Sequence, residues 1–239
     1  MEQVLENKVV LITGGARRVG AAIARKVHAA GGTLVIHYHR SALEAQALAA
    51  ELNAVRPSSV TPLGADLLDL KVLGALVEAT IARHGHLDVL VNNASTFYPT
   101  PVGEITEAHW NDLMGTNLKV PLFLSQAAAP HLKARDGLIL NIADIHGQRP
   151  LRYHTVYSSA KAGLIMLTQS LARELAPHVR VNAIAPGPVE FPEQGLTDEM
   201  KQAIIDKTLL KRRGSPEDIA RAALFFISEA PYVTGQILA

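Results

Sequence analysis

Asp144, Tyr157 and Lys161 are of the right types and spacing to do acid–base chemistry: twelve residues separate the first two, and Lys161 follows Tyr157 by four positions. Residues four apart on a helix share a face, so the phenol and the ammonium project side by side. A neighbouring cation stabilises the ionised phenolate, which would tune Tyr157 as a proton donor near neutral pH. A reductase needs such a donor beside a hydride source. A Tyr and a Lys on any half-exposed helix have the same spacing, so the rest of the chain has to decide.

The elements that must position these residues alternate. Residues 8–13 (KVVLIT) form a β-branched apolar run, read as a strand buried on both faces. A glycine turn follows, then an Ala-rich helical stretch stopped by Gly31-Gly32, then a second strand at 33–39 (TLVIHYH). Strand, glycine turn, helix and strand in this order make a dinucleotide-binding βαβ unit. Further helices are expected at 42–55, 69–83, 106–133 (bent at Pro121), 155–175, 197–207 and 216–228. Strands are expected at 59–63, 87–91, 138–142, 180–184 and in the closing GQIL. The fold class is therefore α/β, a single doubly wound parallel sheet, Rossmann-like, with helices on both faces, and residues 1–239 read as one domain.

Composition narrows the function. The chain has 239 residues, 48% apolar and 19% charged, which fits a globular protein with a full core. A formal net charge of +1 gives no electrostatic case for nucleic acid or an anionic membrane. The absence of cysteine excludes disulfides, thiolate catalysis and Cys-ligated metal, and no metal site is expected. The polar start and the short first apolar run fit neither a signal peptide nor a membrane span, so the reading is cytoplasmic.

In a doubly wound sheet, ligands sit beyond the carboxyl ends of the strands. Five loops, together rich in polar residues and glycine, fall there. Thr13 to Gly20 (TGGARRVG) puts Gly14 where the chain turns tightly, and Val19 and Gly20 open a helix whose N-terminus suits a pyrophosphate. Arg18 stands where a small residue would allow the closest approach, so it either contacts phosphate or a substrate carbonyl or faces solvent. After the second strand come His37, Tyr38, His39, Arg40 and Ser41, and no acidic residue occurs from Gly32 through Leu43. A cofactor with a free ribose 2′-hydroxyl usually meets Asp or Glu here, so one permanent cation, imidazoles and a hydroxyl point to a 2′-phosphate and to NADP(H). Arg40 carries that reading, because both histidines have a structural alternative. Asp66 either meets the adenine amino group or caps a helix. Asn93, Ala94 and Ser95, in the NNAS turn, fit the nicotinamide-ribose region. Phe97, one of five Phe residues, either stacks on a flat substrate or plugs the loop into the core. Pro186 and Gly187 open the fifth loop.

Together these residues resemble the short-chain dehydrogenase/reductase family over essentially the whole chain. The family's TGxxxGxG, NNAG, helical Asn, Ser-x(12)-Tyr-x(3)-Lys and PG loop read here as TGGARRVG, NNAS, Asn117, Asp144-x(12)-Tyr157-x(3)-Lys161 and Pro186-Gly187. The resemblance implies that Tyr157 donates the proton, Lys161 binds the nicotinamide ribose and lowers the Tyr pKa, and Asn117 holds a relay water. Arg18, Ser95 and Asp144 depart from the pattern. An ionised Asp repels a developing alkoxide and has no proton to give it, which favours reduction of C=N over C=O.

TGxxxRxG, HYHRS, NNASxFYPTP and the Asp-Tyr-Lys set resemble the pteridine reductase branch. That likeness implies a pterin or folate substrate stacked between Phe97 and the nicotinamide. Ser95 and Arg18 would contact the pterin and the cofactor phosphates, and Asp144 would pair with Tyr157. Arg40 and Ser41 would bind the 2′-phosphate with His37 nearby, Asp66 and the Leu67 backbone would hold the adenine, and the protein would be a homotetramer. Loop 189–196 is expected to wall the substrate, with Glu190 and Glu193 either disfavouring a folate tail or simply exposed. A carbonyl reductase with protonated Asp144, and a non-catalytic NADP(H)-binding sensor, are the alternatives.

Overall fold

The computed structural model describes residues 3–191 and 197–239. Strands β1 (Val9–Ile12), β2 (Thr33–Tyr38), β3 (Val60–Gly64), β4 (Val89–Asn92), β5 (Leu138–Ile142), β6 (Arg180–Ile184) and β7 (Ile237–Leu238) alternate with helices. The helices are α1 (Arg18–Ala29), α2 (Ala42–Val55), α3 (Lys71–His84), α4 (Glu107–Met114), α5 (Val120–Lys133), α6 (Thr155–Leu175), α7 (Asp198–Asp206) and α8 (Pro216–Ser228). Among the described residues the sheet has seven strands in the order β3-β2-β1-β4-β5-β6-β7, every neighbouring pair parallel. The chain builds outward from β1 to one edge, then returns to lay β4 on the other side. That reversal opens a crevice between the carboxyl ends of β1 and β4.

Strand alternation explains the two covered faces. On β1, Val10 and Ile12 join Ile23 and Val27 of α1, Leu48 of α2 and Phe226 of α8 in one core layer. Leu11 faces the other layer, with Leu73 of α3, Leu124 of α5 and Leu171 of α6. Successive side chains of a strand point to opposite faces, so a run apolar at every position needs helices on both. The chain has that run and those helices. No helix among the described residues is long and apolar enough to cross a membrane.

The long helix expected over 106–133 is two helices. Thr106 caps α4 by accepting from His109 N, and a π-helical turn, Gly115–Lys119, separates α4 from α5. Pro121 lies in the first turn of α5, where its missing N–H is tolerated. The irregularity therefore falls upstream of the proline and carries Asn117. Helix α3 starts later than expected and stops at Gly85, whose φ of 84° is the left-handed conformation of a helix end.

Candidate active site

Asp144 follows β5 and caps a short 3₁₀ turn, Ile145–Gly147, its Oδ1 accepting from His146 N at 2.8 Å. Its Oδ2 accepts from the Tyr157 hydroxyl at 2.7 Å. The intervening loop is folded back onto α6 by a bond from Leu151 N to Ser158 Oγ, 3.3 Å. Tyr157 is almost fully buried. Burial, followed by the negative charge of Asp144 and its hydrogen bond, pushes the phenol well above its ordinary pKa, and Ser95 opposes this more weakly.

This corrects the expected role of Lys161. Its ammonium lies 5.7 Å from the Tyr157 ring centroid and donates to the Ile142 carbonyl at 2.9 Å, while the group on the phenol hydroxyl is Asp144. Burial itself lowers the Lys161 pKa to about 8, partly offset by Asp144. Nothing in the spacing of the three residues reveals that Asp144 outweighs Lys161, because that depends on which group touches the hydroxyl.

Asn117 comes from the π-helical turn. Its Nδ2 donates to the carbonyls of Leu113 (2.9 Å) and Thr96 (3.0 Å), and its Oδ1 accepts from Ser95 Oγ at 2.6 Å. Asp144, Tyr157, Ser95 and Asn117 thus form a continuous polar run at the ends of β4 and β5. Phe97 completes this wall. The loop carrying it is tied to the start of α6 by a bond from Thr100 N to Tyr153 O. The Phe97 ring stacks on His154 at 4.6 Å, with its plane tilted 16°, and meets Tyr157 edge to face at 4.8 Å. At 44% exposed it is a site wall and not a core plug. His154 escaped the sequence reading, since nothing in the chain pairs it with a residue so far upstream.

The glycine turn is braced from β4. Asn93 Nδ2 donates to the carbonyls of Thr13 (2.9 Å) and Gly14 (3.0 Å), and Thr13 Oγ1 accepts from the backbone of Asn93 and Ala94. Gly14 has φ 59° and packs on Ala94, while a Cβ on Gly20 would fall on the Gly14 carbonyl oxygen and 2.7 Å from Asn93 Nδ2. Asn93 therefore spends its amide hydrogens on the turn. Asn92 points into the core, to Ser125 Oγ at 3.2 Å and Asn141 Oδ1 at 2.9 Å. Neither amide nitrogen is left for a ribose, contrary to expectation, because β4 ends with one Asn on each side of the pleat.

At the end of β2, His37 takes its structural alternative. It is buried, accepts from Gly14 N at its Nδ1 (3.3 Å), and so presents Nε2–H to the Ala65 carbonyl (3.1 Å). Burial lowers its pKa. It is a neutral strut between the glycine turn and the end of β3. Tyr38 packs its ring over Gly64, where a Cβ would come within 2.9 Å. His39 and Arg40 are exposed, and Arg40 has no ion-pair partner among the described residues. Ser41 precedes α2 without a side-chain capping bond. Asp66 does not cap α3. It accepts from Leu68 N at 3.1 Å and stands 3.9 Å from His39 Nε2, while Leu67 is buried beside it.

Val19 packs on the core from α1, and Pro186 accepts from Ile145 N at 3.1 Å, joining the loops after β5 and β6 next to Gly187. Arg18 adopts φ 52° and donates from Nε to Glu190 Oε2 at 2.6 Å. Of the loop expected to wall the substrate, Glu193 and the rest of 192–196 lie outside the described residues.

Comparison with known proteins identifies this arrangement. The family model described as "Enoyl-(Acyl carrier protein) reductase" matches residues 14–239. Pteridine reductase 1 of Leishmania tarentolae is 36% identical over 270 aligned positions, covering 95% of this chain and 92% of that protein. The chain belongs to the short-chain dehydrogenase/reductase family. The 3-oxoacyl-[acyl-carrier-protein] reductase FabG of Chlamydia muridarum is 35% identical, covering 100% of this chain and 97% of that one. An uncharacterized oxidoreductase of Methylorubrum extorquens is 34% identical over 98% of this chain and 96% of its own length.

As a short-chain dehydrogenase/reductase, the protein is an oxidoreductase of the kind that works with a nicotinamide cofactor. The observed crevice fits one: a tight glycine turn at the start of α1, with no room for a Cβ at Gly20, and beyond β2 a cation with no ion-pair partner among the described residues. No cluster of three His, Cys, Asp or Glu side chains suited to a metal occurs among the described residues.

Proposed function

We propose that this reductase uses NADPH to reduce a C=N bond of a dihydropterin. The observation that carries the reading is the Asp144 carboxylate, held on the Tyr157 hydroxyl by Oδ2 and on His146 N by Oδ1. Both oxygens act as acceptors, so the group suits a ligand that presents N–H donors, such as an amidine-like ring edge. A ketone oxygen needs a donor in that place.

The dihydronicotinamide supplies the hydride when bound. The glycine turn would take its pyrophosphate, Arg40 and Ser41 its 2′-phosphate, Asp66 and the Leu67 backbone its adenine, and Lys161 with the loop at Pro186 and Gly187 its nicotinamide ribose. Asp144 keeps the proton on the Tyr157 phenol, which it holds by accepting from the hydroxyl at Oδ2. The proton goes to the ring nitrogen as the adjacent carbon is reduced, and the Ser95–Asn117 pair returns one from solvent. Phe97, backed by His154, offers an aromatic face against which a flat ring is oriented. Correct orientation of bound reactants supplies up to ~7–11 kcal/mol of a barrier. The protein acts as a single domain, and exposed apolar faces on the helices support assembly as a homotetramer, on a cytoplasmic substrate.

The relatives named as 3-oxoacyl-[acyl-carrier-protein] reductases, at 34–35% identity over the whole chain, favour a second reading, a carbonyl reductase with Asp144 protonated. Steady-state oxidation of NADPH and NADH with dihydrobiopterin, dihydrofolate, biopterin and a 3-oxoacyl thioester separates the two. Turnover of dihydropterins with the thioester inert, and preference for NADPH, is the expected result. Turnover of the thioester alone assigns the chain to the second reading.

A further inference from the structure

Arg18 leaves the glycine turn after β1, whereas Glu190 stands on the loop after β6. Between those strands lie β4 and β5, so the turn and the loop start three strand spacings apart, ~14 Å at about 4.8 Å each. Their ion pair at 2.6 Å therefore joins two loops that start on opposite sides of β4 and β5. Both ends are fixed. Pro188 O accepts from Gly214 N at 2.9 Å and Val189 is buried in the core, which sets the position of Glu190. Arg18 is held in the left-handed region at φ 52°, a conformation that a non-glycine residue adopts at a steric cost. The pair uses Nε alone, and the guanidinium has no other partner among the described residues.

We propose that Glu190 is a specificity-determining residue that acts through Arg18: it holds the guanidinium that leaves the glycine turn, and a ligand bringing an anionic group to that turn must take Arg18 from it. This deepens the reductase reading and rests on it. A ligand whose group near Arg18 is neutral meets no such competition, so Glu190 discounts anionic ligands against neutral ones. The pair is half exposed at Arg18 and about a quarter exposed at Glu190. Pairs of that exposure are weak, so the discount is about two- to fivefold in affinity.

The test is calorimetric binding of NADPH to the full chain as wild type, Glu190→Gln, Arg18→Gly and the double variant, each at several salt concentrations. Glycine accepts the left-handed backbone without steric cost, so Arg18→Gly removes the cation and keeps the turn. Glu190→Gln is expected to tighten NADPH about two- to fivefold and to steepen the salt dependence, because the freed guanidinium is a fuller charge for the ligand. Both changes should vanish in the Arg18→Gly background. Weaker or unchanged NADPH binding in Glu190→Gln, or equal tightening with and without Arg18, overturns the inference while leaving the reductase reading intact. Failure of the wild type and all variants to bind NADPH overturns both.

Discussion

At the scale of residues, the site is governed by which charge touches the Tyr157 hydroxyl. Asp144 does, at 2.7 Å, and with burial it keeps the phenol protonated. Replacing Tyr157 by Phe removes the transferable proton and little else, since the ring still packs against Phe97. Turnover should fall about 10²- to 10⁴-fold, the usual worth of a positioned acid, with the dissociation constant for NADPH within about twofold of wild type by fluorescence titration. Lys161 gives a pH signature. Burial penalises its charged form and brings its pKa down to about 8, so its ammonium is present below that pH and lost as pH rises through it. If that cation holds the nicotinamide ribose, kcat/KM for NADPH should fall with a one-proton slope above about pH 8. In Lys161→Arg, whose guanidinium stays charged, the alkaline limb should move beyond pH 10 even though the residual rate is lower. A limb unmoved by that substitution would assign it to another group.

At the scale of elements, the glycine turn and the π-helical turn do the positioning. The turn depends on close contact: Gly20 lies against the Gly14 carbonyl and Asn93 Nδ2, with no room for a methyl group. Gly20→Ala should cost about 1–3 kcal/mol, the range for overpacking a tight site, seen as a Tm lowered by several degrees. It should also abolish NADPH binding, because relief of the clash moves the turn that meets the pyrophosphate. The π-helical turn works by a different route. Pro121 has no N–H to give the Asn117 carbonyl, so regular α-helical bonding cannot run through this stretch. The widened turn presents Asn117 to Ser95 and the loop at Thr96.

At the scale of the whole molecule, the parallel sheet is covered on both faces, yet large apolar side chains remain outside. On α5 and α6, Leu122, Phe123 and Met166 are exposed, and near the β7 edge so are Phe225, Tyr232 and Leu238. Exposed apolar side chains of this size favour a subunit contact. Light scattering after size exclusion should report a homotetramer, and Phe225→Asp should give smaller species with the same circular dichroism. A monomeric wild type would remove the assembly proposal without touching the site.

Much of this was legible in the chain. Helices at Ala42–Val55, Thr155–Leu175 and Pro216–Ser228 were read to the residue, because caps, glycines, prolines and apolar periodicity are local signals. The alternation of strands and helices, with every position of β1, β4 and β5 apolar or buried, determined a doubly wound parallel sheet and so the edge at which chemistry lies. What the chain left open were contacts between residues far apart in sequence. His37 reads as either a neighbour of the 2′-phosphate or a structural residue, and it is a buried strut. Asn93 reads as a cofactor ligand and braces a turn. Asp144 outweighs Lys161 at the phenol, and Arg18 reaches Glu190. A charge's effect depends on distance and on burial, and both were fixed only when the sheet brought five separate loops to one edge.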